Sequence, residues 1–80
     1  MKRLYGNIEE LKEVSDLIDA ILTDDLYASS PADKRSDIKP IENHCPIGHD
    51  PVTGGLYIAV DDDMIVESLP FNFQERFIDI

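Results

Sequence analysis

The fold of this chain is decided by residues 8–25, IEELKEVSDLIDAILTDD. Apolar residues recur there at three- and four-residue steps, and at about 100° per residue they fall on one half of a helical wheel. These positions are Ile8, Leu11, Val14, Leu17, Ile18, Ile21 and Leu22. Asn7 precedes them as an N-cap, and Glu10 completes a capping-box pattern. The pattern therefore predicts an amphipathic helix over residues 7–26.

The opposite half of the same wheel is acidic. Its members are Glu9, Glu13, Asp16, Asp19 and Asp24, with Lys12 as the only cation. Like charges four residues apart cost a helix about 0.2–0.5 kcal/mol per pair. Asp24 and Asp25 also lie where the helix dipole favours cations. A face that keeps such unfavourable charges indicates a binding partner, and an ordinary solvated helix face is the alternative.

The middle of the chain, residues 28–55, contains four prolines and three glycines, which break any long element. A short helix is expected over residues 31–38, with Ser30 as its cap and Pro31 at its first position. It has to end before Pro40, because the residue before a proline avoids the helical region. The rest of this stretch is predicted to be an irregular loop, and such loops are usually functional or mobile.

Two short apolar runs follow, Gly55–Val60 and Met64–Ser68, and the aspartates Asp61–Asp63 separate them. A short polar connection between two runs of this kind predicts an antiparallel β-hairpin over residues 55–68.

The last segment, residues 70–80, places Phe73, Phe77 and Ile80 at helical spacing, which favours a short C-terminal helix. At 80 residues the chain is one domain at most. We therefore predict a single α+β domain over residues 1–80, in which the N-terminal amphipathic helix packs on a small antiparallel hairpin or sheet.

The net charge of the chain limits the kinds of molecule that it can bind. The chain carries 17 Asp and Glu against 7 Lys and Arg, a formal net charge of -10. Nucleic-acid binding rests on Lys and Arg that displace counterions from phosphates, so we expect no direct nucleic-acid partner. An anionic membrane surface would also be repelled. A protein with a basic surface would be attracted, although the same charge would keep a small protein in solution without any partner.

Composition is that of a folded intracellular protein. Hydrophobic residues make up 42% of the chain, too many for a disordered acidic tail. Cys45 is the only cysteine, so no disulfide can form within the chain, which suits a reducing cytoplasm. No apolar run reaches the roughly 20 residues of a membrane span, and the start does not resemble a signal peptide. We expect a cytoplasmic protein, and its thin core makes a homodimer reasonable.

One group of residues has the composition of a metal site: His44, Cys45, His49 and Asp50. Imidazole and thiolate bind zinc, but the spacing matches no recognised zinc pattern, so we expect neither a metal nor another cofactor. A small metal-binding regulatory domain built on these residues is an alternative. Asp61–Asp63 lack the spacing and glycine of a calcium loop. No glycine-rich phosphate loop or assembled nucleophile is evident, so we expect no enzyme.

These patterns together predict a non-enzymatic acidic inhibitor that occludes a basic, nucleic-acid-binding surface of a target protein. Small acidic proteins that phages use against restriction or CRISPR systems are similar in size and charge, and this analogy implies nucleic-acid mimicry. An immunity protein or antitoxin that neutralises a basic nuclease toxin is the alternative. The residues predicted to contact the partner are Glu9, Glu13, Asp16, Asp24, Asp25, Asp61, Asp62 and Asp63.

Overall fold

The structure, a computed structural model, describes all 80 residues. Its strands are β1 (Lys2–Gly6), β2 (Gly48–His49), β3 (Leu56–Val60) and β4 (Ile78–Asp79). Its helices are α1 (Ile8–Ser29), α2 (Asp63–Glu67) and α3 (Phe71–Gln74), with a 3₁₀ helix over Ala32–Asp37. The predicted α+β class, with a long N-terminal helix on a small antiparallel sheet, is confirmed. No helix has the length and hydropathy needed to span a membrane.

Helix α1 begins at the predicted cap. The Asn7 side chain accepts the backbone N–H of Glu10 at 2.8 Å and donates to the Glu10 carboxylate at 3.0 Å. The helix continues past its predicted end at residue 26 to Ser29, because the first breaker it meets is Pro31, which holds Ser30 extended at φ -96° and ψ 147°.

The apolar stripe of α1 lies on the sheet. Leu11, Val14 and Ile18 are fully buried against the sheet residues Leu4 and Ile58. Ile8, at the first position of the helix, was predicted on this stripe but is 43% exposed. The full core consists of Leu4, Leu11, Val14, Ile18, Cys45, Ile58, Val60, Ile65, Val66, Leu69 and Phe73.

The sheet has four antiparallel strands in the order β2-β3-β1-β4. Strand β1 pairs with β3 from Lys2 opposite Val60 to Gly6 opposite Leu56. The sequence did not predict β1. Its only buried residue is Leu4, and a single buried position gives no alternating pattern.

The predicted hairpin over residues 55–68 is wrong in its second strand. Residues Asp63–Glu67 form α2, and the Asp62 side chain caps this helix by accepting the backbone N–H of Met64 at 2.9 Å. The aspartates therefore start a helix instead of closing a turn. Burial of Ile65, Val66 and Leu69 follows the spacing of that helix.

The sheet does contain a hairpin, but β3 forms it with β2, the strand that precedes it in sequence. Its turn lies between Asp50 and Gly55, whose backbone N–H and carbonyl groups bond at 2.8 Å. Gly54 has a φ of 76° in this turn, a backbone region that glycine adopts without strain.

The C-terminal helix predicted within residues 70–80 is present but short, as α3. After it the chain turns into β4, which pairs with β1. Phe73 is buried in the core and Phe77 packs against it, whereas Phe71 is 71% exposed. Arg76 holds this segment in place by pairing with Glu10 and donating to the Tyr5 carbonyl at 3.0 Å.

The short helix predicted at residues 31–38 is confirmed as the 3₁₀ helix. Its predicted cap is wrong, because Pro31 is at the N-cap position and no side chain bonds to the first turn. The Ser30 hydroxyl donates to the Leu26 carbonyl near the end of α1, at 2.7 Å.

Residues 38–45 run antiparallel to α1 and are held by a row of its side chains, which we name the polar stripe. Its members, four residues apart, are Ser15, Asp19, Thr23 and Tyr27. The two carboxylate oxygens of Asp19 accept the backbone N–H groups of Asn43 and His44, each at 3.1 Å. Thr23 accepts the N–H of Ile41 at 2.9 Å.

The ends of the polar stripe contact carbonyl groups of the same segment. The Tyr27 hydroxyl donates to the Ile38 carbonyl at 3.4 Å, and the Ser15 hydroxyl donates to the Cys45 carbonyl at 3.3 Å. Asn43 adopts a φ of 52°, which asparagine tolerates better than most residues. The segment is therefore irregular, as predicted, but ordered by side chains of α1.

We expect Asp19→Ala to lower the free energy of unfolding by about 1–3 kcal/mol, because the substitution removes two charge-assisted hydrogen bonds to the backbone. Asp16→Ala is the matched control, since it is the same exchange on the same helix at an exposed residue without hydrogen bonds. It should change stability by no more than about 0.5 kcal/mol. Urea denaturation of both variants checks this, and equal losses would contradict an anchoring role for Asp19.

Candidate functional site

Four of the predicted partner-binding acids form one exposed row on α1, which we name the outer acidic face. Its members are Glu9, Glu13, Asp16 and Asp24. At about 100° per residue they lie within about 80° of one another on the helical wheel. None of them forms an ion pair, because the two ion pairs of the chain are Lys2–Asp63 and Arg76–Glu10. Lys12 is the one cation on this side of α1, and it lies beside Glu9, Glu13 and Asp16 without pairing with any of them.

A groove of 690 Å³ runs beside the outer acidic face, between α1 and the segment that the polar stripe holds. Its lining consists of Lys12, Ser15, Asp16, Asp19, Glu42, Asn43, Pro46 and Ile47. Glu42 was not among the predicted site residues. No local pattern marks it, since its position on the same groove as Asp16 depends on how residues 38–45 dock on α1.

Asp25 lies on another side of α1 from the outer acidic face. With Ile21 and Leu22 it lines a cavity of 210 Å³, and the opposite wall is formed by Ile65 of α2 and by Asp62, the residue that caps α2. The structure therefore brings together the end of the acidic helix and the aspartates that follow β3.

Two of these aspartates already have structural roles. Asp63 pairs with Lys2 at 3.7 Å, and Asp62 uses one carboxylate oxygen to cap α2. Asp61 is exposed and lines a cavity of 330 Å³ together with Asp62 and Cys45. The predicted set is thus divided between two surfaces and does not form one continuous acidic patch.

The residues predicted as an alternative metal site are not assembled into one. His44 and His49 are exposed, whereas Cys45 belongs to the core. No group of three or more His, Cys, Asp or Glu side chains is arranged to hold a metal ion. Burial raises the pKa of the Cys45 thiol, and the nearby carboxylates of Asp19 and Asp61 raise it further.

Asp50 belongs instead to a cluster on the sheet face opposite α1. Its carboxylate accepts the backbone N–H of Val52 and the hydroxyl of Tyr5, both at 2.9 Å. Arg3 donates to the Tyr5 hydroxyl at 3.2 Å and lies 4.3 Å above the ring of Tyr57, a cation–π geometry. The cluster joins the β2–β3 turn to β1, so its role is structural.

The hydrogen bond from the Val52 N–H lowers the pKa of Asp50, and the hydroxyl of Tyr5 lowers it further. The same Tyr5 hydroxyl raises the pKa of Arg3. Both charged forms are favoured by the fold.

Comparison with known proteins identifies no relative of this chain. No family model matches the chain, and no curated protein or solved structure matches it. The functional interpretation therefore rests on the charges and surfaces described above.

The lowered pKa of Asp50 predicts a contribution to stability that is complete above its unfolded pKa of about 3.9 and lost as the pH falls through the folded value. Tyr5→Phe removes one cause of the lowered pKa. The melting temperature of the Tyr5→Phe protein should therefore fall less between about pH 6 and about pH 2 than that of the unmodified protein, because Asp50 contributes less to this fall.

Tyr27→Phe is the control for this titration, because the Tyr27 hydroxyl donates to a carbonyl and not to a carboxylate. It should shift the melting temperature equally at both pH values. A Tyr5→Phe protein that loses as much stability on acidification as the unmodified protein would refute the link between Tyr5 and Asp50.

Proposed function

We propose that this protein is a non-enzymatic acidic inhibitor that binds and occludes a basic, nucleic-acid-binding surface of a target protein. The observation that carries the proposal is the outer acidic face, whose four carboxylates are exposed and have no cation partner within the chain. Along α1 this row extends about 22 Å at about 1.5 Å per residue. Lys and Arg that normally meet rows of phosphates would meet carboxylates there.

The absence of ion pairs and side-chain hydrogen bonds at these carboxylates supports the proposal. Asp19 anchors a segment, Asp62 caps a helix and Glu10 pairs with Arg76, so these acids have a structural reason to be present. Glu13 and Asp16 make no such contact, and their mutual repulsion costs helix stability. Acidic residues that are present although they lower the stability of the helix are consistent with a role in binding.

The groove beside the outer acidic face gives this charged surface a concave region in which a partner can bind. Asp16 on α1 and Glu42 on the docked segment both line it, and Pro46 and Ile47 add apolar surface. Interfaces gain specificity when charge is combined with a shaped, partly apolar surface. The net charge would attract a basic loop or helix of the target, and this element would then bind in the groove.

The non-enzymatic part of the proposal is supported by the state of the only thiol. Cys45 is buried and the pKa of its thiol is raised, whereas catalytic cysteines are accessible and have lowered pKa values.

The first experiment is capture of the target with tagged protein, followed by mass spectrometry. The proposal expects a protein that binds nucleic acid, and it expects this protein to displace DNA or RNA from the target without binding either directly. Capture of a nuclease toxin whose active site is blocked would favour the immunity-protein alternative. Direct nucleic-acid binding with sub-micromolar affinity would contradict the charge argument.

With the target in hand, Glu13→Lys combined with Asp16→Lys should preserve the fold and weaken binding by about 2–5 kcal/mol if both acids meet desolvated cations. The loss should appear partly in the association rate and shrink as salt rises. Lys34→Glu combined with Arg35→Glu is the control and should leave binding intact or strengthen it. Unchanged affinity in the folded Glu13 and Asp16 variant would show that this face is only solvated surface.

A further inference from the structure

Beneath the C-terminal half of α1 lies a crevice that the chain itself does not fill. Helix α1 has 22 residues and is about 33 Å long, whereas the central strands of five residues span about 17 Å. The helix therefore extends beyond the sheet, and past Val60 the element opposite it is α2. The space between α1 and α2 is the 210 Å³ cavity described above.

The floor of this crevice is apolar and its mouth is anionic. Ile21, Leu22 and Ile65 line it, and the side chain of Met64, which is 74% exposed, lies at its rim. A second cavity of 330 Å³ is lined by the same Leu22, Ile65 and Asp62, so the two spaces adjoin. The crevice thus has the usual composition of a binding site, an apolar lining with a few polar groups.

Two carboxylates at the crevice have no cation partner. Asp25 makes no ion pair or hydrogen bond through its side chain, and Asp62 uses only its Oδ1, to cap α2. Both carboxylates are exposed, so a cation that enters the crevice can reach them. A neutral apolar ligand would cover the floor but leave both charges without a counterion.

We propose that this crevice receives one long cationic side chain, Lys or Arg, from the target protein. The methylene stem would pack on Ile21, Leu22 and Ile65, and the charged head would lie between Asp25 and Asp62, since such side chains bury their stems and keep their heads in polar surroundings. The size agrees, because 210 Å³ is below the about 300 Å³ at which small-molecule pockets begin. This inference rests on the proposed function and adds a second contact to the outer acidic face.

The test is an NMR titration of isotope-labelled protein with N-acetyl-arginine amide and N-acetyl-lysine amide. The matched neutral probes are N-acetyl-citrulline amide and N-acetyl-norleucine amide. The cationic probes should shift the amide signals of residues 21–25 and 62–65, and the neutral probes should bind about three- to tenfold more weakly, as expected for loss of exposed ion pairs.

Asp25→Asn combined with Asp62→Asn should raise the Kd of the cationic probes by about the same three- to tenfold. Asparagine also caps helices, so α2 should stay folded in this variant. Asp24→Asn is the control, because this neighbouring acid lies on the outer acidic face, and it should leave the shifts at residues 62–65 unchanged.

Absence of shifts at residues 21–25 and 62–65, or equal binding of the cationic and neutral probes, would overturn the crevice proposal. So would cationic probes that bind the Asp25 and Asp62 variant as well as the unmodified protein. None of these results bears on the outer acidic face, whose test is the binding of the target by the Glu13 and Asp16 variant. The two proposals can therefore fail separately.

Discussion

The carboxylate of Asp19 accepts two backbone N–H groups of residues 38–45, and the position of that segment depends on it. Prolines at 40 and 46 keep the segment out of helix and sheet, so its backbone polar groups have no partners in regular secondary structure. The polar stripe of α1 supplies these partners. The docked segment adds Cys45 to the core and places Glu42 on the same groove as Asp16. One helix therefore organises both the interior and the acidic groove.

The elements that sequence predicts well are those whose signals are local. The period of α1 and its Asn7 cap lie within one stretch, and both are confirmed. Strand β1 gave no signal because Leu4 alone is buried on it. Helix α2 was mistaken for a strand because Ile65 and Val66 are β-branched, and because aspartates favour both turns and helix N-caps. Only the tertiary contacts of β3 with β1 and β2 decide between these alternatives.

The same difference between local signals and tertiary contacts applies to the candidate site. The outer acidic face can be read from the helical wheel, because all of its members lie on α1 and their exposure follows from their positions. Asp25 and Asp62 line one cavity, and Asp16 and Glu42 line one groove. Neither arrangement could be predicted, since each joins segments distant in sequence. The wheel also grouped Asp19 with the other acids, although its carboxylate is occupied by the backbone. Identical side chains on one helix thus differ in role according to what packs beside them.

The central claim is that the outer acidic face has no part in folding and is therefore available for a partner. Its most direct test is the free energy of unfolding of a protein that carries Glu9→Gln, Glu13→Gln, Asp16→Asn and Asp24→Asn together. We expect the stability of this variant to lie within about 1 kcal/mol of the unmodified protein, because the like-charge repulsion that is removed offsets the lost interaction of Glu9 with the helix dipole. A loss of stability as large as that of Asp19→Ala would contradict the claim and assign these carboxylates a structural role.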